Sequence, residues 1–107
     1  MSEIKEVNSA LTVKNVKENM QKKVIERLHA EISDSKMYLE AATAMDERDE
    51  RDGTDVTMVA GLYEMAKDEY SHAYFLKKYL DDHNVDIPET CEKSFKDLEI
   101  QIKKVFR

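Results

Sequence analysis

Glycine and proline are almost absent from this chain, which has two glycines, one proline, no tryptophan and a single cysteine. So few backbone breakers exclude a turn-rich sandwich or barrel and leave long helices as the natural reading. One cysteine excludes an internal disulfide, a zinc ribbon and a four-cysteine iron site. Cys91 lies near a predicted helix start, where a thiol pKa can fall, but its spacing reads as an ordinary face position. No apolar run approaches transmembrane length, and the N-terminus lacks the charge order and apolar core of a signal peptide. A membrane is therefore not an expected partner, and the cytoplasm is the expected location. Basic excess is missing too: the net charge is −6, and the lysine pairs are scattered among acids. Without a basic stripe, nucleic acid is not an expected partner.

What is present suits a folded, all-α domain. Charged residues make up 37% of the chain and hydrophobic residues 41%, enough apolar content to fold rather than stay disordered. Residues 1–107 read as one domain of three helices, at about 12–47, 55–83 and 89–106. Asn15 with Glu18 forms a capping-box-like pair, and the first helix is expected to start between Asn8 and Asn15. The charged stretch Asp46 to Asp52 reads as a solvated helix end or connection. Glu50 and Arg48 occupy the ligand positions that precede Asp52-Gly53 in a calcium-loop alignment, so an EF-hand does not fit. Gly53 breaks the helix, and Thr54 or Asp55 can cap the next one. Asn84 suits a left-handed stop, after which Pro88 pushes Ile87 into extended backbone.

The apolar periodicity contains an anomaly. In the first helix Val24, Leu28, Glu31, Ser35, Tyr38, Ala42 and Met45 recur at alternating helical steps, and in the second Val59, Leu62, Ala66, Glu69, Ala73, Leu76 and Leu80 do the same. Such steps trace a buried seam, yet each seam holds a glutamate. Buried carboxylates are costly unless paired, protonated or bound to a metal. His72 follows Glu69 as Glu-x-x-His, one turn along the same side of the helix, in a column with Met58, Met65 and Tyr79 that is expected to point inward. If the hairpin turns near residue 51, Glu31 lies level with Glu69 and His72. Two carboxylates and an imidazole suit iron, manganese or zinc. The competing reading is a polar cluster in which His72 pairs with both acids and fixes helix register. The third stripe, Cys91, Phe95, Leu98, Ile102 and Val105, carries no acid and reads as packing.

One hairpin leaves a two-helix core half open. A homodimer, or a higher homo-oligomer built from it, would complete a four-helix bundle with four glutamates and two histidines, the donor inventory of di-metal carboxylate bundles. Two further arrangements remain open: a mononuclear site in a three-helix monomer, and a metal-free helical interaction module.

The stretch from about Val24 to Pro88 resembles half of a ferritin-like, rubrerythrin-type di-iron protein. Glu31 followed by Tyr38 is similar to the family's first-helix signature, and Glu69 with His72 to its Glu-x-x-His. The run His72-Ala73-Tyr74-Phe75-Leu76-Lys77-Lys78-Tyr79-Leu80, with Asn84 and Ile87-Pro88 beyond, is similar to the end of its second helix. The resemblance implies iron ligands at Glu31, Glu69 and His72, a bridging role for Glu69, and Tyr38 hydrogen-bonding near the site. It also implies two irons per dimer interface and either ferroxidase or peroxide-reducing activity, the latter with an external electron donor. The family repeats its motif on two further helices, whereas this chain has one copy and no rubredoxin-like cysteine cluster. Half-length dimeric members, including those housed in encapsulin shells, are the nearer analogy.

Overall fold

The computed structural model describes residues 2–47 and 53–106, with side chains described over 14–47 and 56–106. It contains α1 (Ser2–Asp46), α2 (Gly53–Asp82) and α3 (Glu89–Val105), with no strand among the described residues. α1 starts well before the expected cap near Asn8 to Asn15, because no glycine or proline interrupts the chain between Ser2 and Asp46. α2 starts at Gly53 itself. The charged connection over 48–52 lies outside the described residues, as do the side chains of Thr54 and Asp55.

α1 and α2 form a long hairpin. Their facing sides bury Leu28 and Ala42 on α1, and Val59, Ala66, Ala73 and Leu80 on α2. Small residues at Ala42, Ala66 and Ala73 leave room for close approach of the two helices. The buried Ser35 hydroxyl uses that room, donating to the Ala66 carbonyl at 2.6 Å. This bond ties the two helices together one turn from Glu31 and holds the register. α1 has 45 residues and α2 has 30, so the N-terminal turns of α1 run on past the end of α2. Accordingly every side chain from Lys14 to Met20 is exposed. The long axis of 74 Å follows from this overhang.

α2 ends as its sequence suggests. Asn84 has φ 55°, the Val85 amide donates to the Leu80 carbonyl at 2.9 Å, and the Asn84 amide donates to that of Asp81 at 3.1 Å. Together these bonds form a Schellman stop. His83 adds an Nδ1 donor to the Tyr79 carbonyl at 2.8 Å, consistent with a ring placed at a helix C-terminus. Asn84→Ala is expected to lower stability by about 1 kcal/mol, because alanine is strained in the left-handed region, whereas Asn84→Gly is neutral or stabilising. A urea midpoint unchanged in the alanine variant would contradict this account of the stop.

Pro88 then starts α3, its carbonyl accepting from the Cys91 and Glu92 amides at 2.9 and 3.1 Å. α3 folds back along α2 and buries Cys91, Phe95, Leu98 and Ile102. Its partners on α2 are Tyr63, Tyr70 and Lys77, one seven-residue column. Phe95 stacks on Tyr70 with ring centroids 5.8 Å apart and lies under the Lys77 ammonium, while Phe106 meets Tyr63 edge-on. On α1 the buried residues Ile32 and Leu39 join the same cluster. Glu99, on the flank of the α3 stripe, accepts a 2.8 Å hydrogen bond from the Tyr70 hydroxyl. Burial and this bond hold the Tyr70 phenol above its ordinary pKa. Burial likewise pushes the Cys91 thiol up, the opposite of helix-start activation, so Cys91 is a packing residue.

Candidate metal centre

α2 carries three columns with different neighbours. Val59, Ala66, Ala73 and Leu80 face α1, while Tyr63, Tyr70 and Lys77 face α3. Met58, Met65 and His72 lie in the third column, at the outer edge of the α1 contact and exposed, Met58 by 54% and Met65 by 44%, while Tyr79 in the same column is half-buried. His72 was expected to point inward; in the single chain its side chain is 60% exposed, at the rim of the hairpin. The reason is angular. Its column is offset from the one facing α1, and α3 covers the opposite side.

Glu31, Glu69 and His72 nevertheless converge, each offering one donor atom, with all three within 4.8 Å of one another. Glu31 is 3% exposed, so the hairpin seals it despite its charge. Its Oε1 takes an ion pair at 2.8 Å from the Arg27 guanidinium, one turn earlier on α1. Its Oε2 lies 3.6 Å from His72 Nδ1, close but too long for a hydrogen bond. Glu69 is half-buried. The decisive feature is polar dissatisfaction: Glu31 Oε2 and Glu69 Oε2 are both buried and have no hydrogen-bond partner among the described residues. Orphaned buried carboxylate oxygens are rare because each costs its full desolvation. Two such carboxylates, each with a donor atom within 4.8 Å of the other and of an imidazole donor, fit the donor set of a borderline or hard divalent cation.

Tyr38, Tyr79, Asp34 and His29 lie apart from this convergence. Tyr38 is half-buried, packs against the core and makes no hydrogen bond to the three donors among the described residues. It stands two turns from Glu31, about 10 Å along the helix axis. Tyr79 packs instead on the His83 ring, with centroids 4.2 Å apart. Asp34 is half-buried on α1, outside the donor cluster, and His29 is exposed. Arg27 is the participant that the periodicity did not single out. Its only signal was the i,i+4 spacing to Glu31, a common pairing on helix surfaces that becomes informative only when the acid is buried.

Comparison of the chain with protein-family models, with curated proteins and with solved structures finds no match. No helix among the described residues is long and apolar enough to cross a membrane.

Proposed function

We propose that this chain is half of a carboxylate-bridged iron site, completed when two copies pair through the faces that carry His72. The two unpartnered buried oxygens, Glu31 Oε2 and Glu69 Oε2, carry this reading. Its support includes the rubrerythrin-type motif formed by Glu31, Glu69 and His72, whose donors lie within 4.8 Å. Exposed Met58, Met65 and His72 sit on the side left open by α3 and would be covered in a ferritin-like four-helix dimer.

Ferrous iron is the substrate. Its chemistry is one-electron loss per ion, so a pair of ions matches the two-electron reduction of dioxygen to peroxide or of peroxide to water. Glu31 and Glu69 supply anionic oxygen donors that favour the more highly charged ferric product, and His72 adds a neutral nitrogen donor. Manganese and zinc suit the same donors, and metal preference is part of the test. Sustained peroxide reduction requires an external electron donor, since the single cysteine provides no rubredoxin-like cluster. The proposed setting is the cytoplasm, with the dimer free or housed in a protein shell.

Anaerobic ferrous titration of the metal-stripped protein is expected to reach one iron per chain, followed by oxygen or peroxide consumption on exposure to oxidant. Glu69→Ala should lose both. An unchanged stoichiometry in Glu69→Ala, or no uptake by the parent chain, would sink the proposal. The Arg27–Glu31 ion pair and the proximity of His72 favour a second reading, a metal-free interaction module stabilised by a polar cluster. In that case the metal-stripped chain would bind no iron and would retain its fold and oligomeric state.

A further inference from the structure

Arg27 reaches from solvent to a buried carboxylate: its side chain is 64% exposed, while that of its partner Glu31 is 3% exposed. Among the described residues it is the only lysine or arginine paired with either carboxylate of the cluster. The need for it is electrostatic. Glu31 and Glu69 offer donor oxygens within 4.8 Å of each other, so two acidic side chains crowd one spot and a nearby positive charge offsets their repulsion. The Arg27 guanidinium supplies that positive charge through a planar fork of N–H donors suited to a carboxylate. It also orients its partner. With Oε1 held at 2.8 Å by Arg27, the carboxylate presents Oε2 toward His72 as its free oxygen.

The same charge must act in the opposite sense when a cation arrives, since the guanidinium touches one oxygen of the group that would ligate it. We propose that Arg27 is the positioning counter-ion of this cluster, orienting and neutralising Glu31 in the metal-free chain and weakening its affinity for divalent cations. This rests on the cluster being a metal site. Arg27 thereby sets the metal concentration at which the site fills, without ligating the metal.

Manganese(II), which is not oxidised under these conditions, is a suitable probe for calorimetric titration of the full-length protein. Arg27→Gln is expected to bind manganese about tenfold more tightly at low salt, the scale of removing one positive charge near a dication in a partly solvated site. The advantage should shrink at high salt, because Arg27 is largely exposed. Arg27→Lys, which keeps the charge, should stay close to the parent affinity, and the metal-free Arg27→Gln chain should melt at a lower temperature. Equal or weaker binding by Arg27→Gln, with binding by the parent intact, overturns the role of Arg27 and leaves the metal site standing. No manganese uptake by parent or variant, together with no ferrous uptake by the parent, overturns the site and this role with it.

Discussion

Glu31→Leu is expected to raise the melting temperature of the metal-free protein while removing the proposed metal binding. Glu31 is 3% exposed, with one oxygen on Arg27 and the other unpartnered. Replacing an imperfectly satisfied buried ion by an apolar residue of similar size is often neutral or stabilising, by about 1–4 kcal/mol. For a domain of this size each kcal/mol is worth roughly 4–8 °C. Arg27 loses its partner in this variant but remains in water, so its release costs little. Metal affinity should fall by more than about 100-fold, since changes outside the ligand set already cost about 10–100-fold. Calorimetric melting after chelation, paired with metal titration, reads both effects. A large drop in melting temperature with metal uptake unchanged would make Glu31 a structural residue and remove it from the site. The expected trade, stability gained as function is lost, is what a site under local strain should show.

Leu98→Ala is expected to cost about 2–5 kcal/mol, the usual range for removing a fully buried leucine from a packed interior. Leu98 is 0% exposed and is one of the residues that hold α3 against the hairpin, with Cys91, Phe95 and Ile102. Urea denaturation at a fixed chain concentration would measure the loss, fixed because association would itself contribute to apparent stability. Metal affinity should not change in the folded variant. α3 packs on the Tyr63–Tyr70 side of α2, whereas the donor cluster lies on the side that carries Met65 and His72. A marked loss of metal binding in folded Leu98→Ala would mean that α3 supports the site as well as the core. Amide exchange would separate the cases, since loosening confined to α3 should expose its amides before those around Ser35.

Much of this architecture is legible because helical periodicity is a local property. Leu28, Ala42, Val59, Ala66, Ala73 and Leu80 are buried as their spacing demands, and Asn84 adopts the left-handed stop that its position suggests. The level pairing of Glu31 with Glu69 and His72 follows from a constant rise per residue and a short connection. Ile32 and Leu39 were less legible. They belong to a second apolar stripe on α1 that has meaning only once α3 lies against it. The start of α1 was misplaced for a related reason: cap-like residues at Asn8 and Asn15 compete weakly with continuing a helix that nothing interrupts.

By itself the sequence determined the three-helix order, the hairpin register and the level placement of Glu31, Glu69 and His72, because each depends on spacing along the chain. Tertiary structure alone decided which side of α2 receives α3, and so which side stays open. That choice turned His72 from an expected interior residue into an exposed one at the rim. It was also the fold that left two carboxylate oxygens buried and unpartnered while giving Glu31 Oε1 to Arg27. Whether a polar atom is satisfied depends on distances between helices, and no periodicity within one helix encodes them.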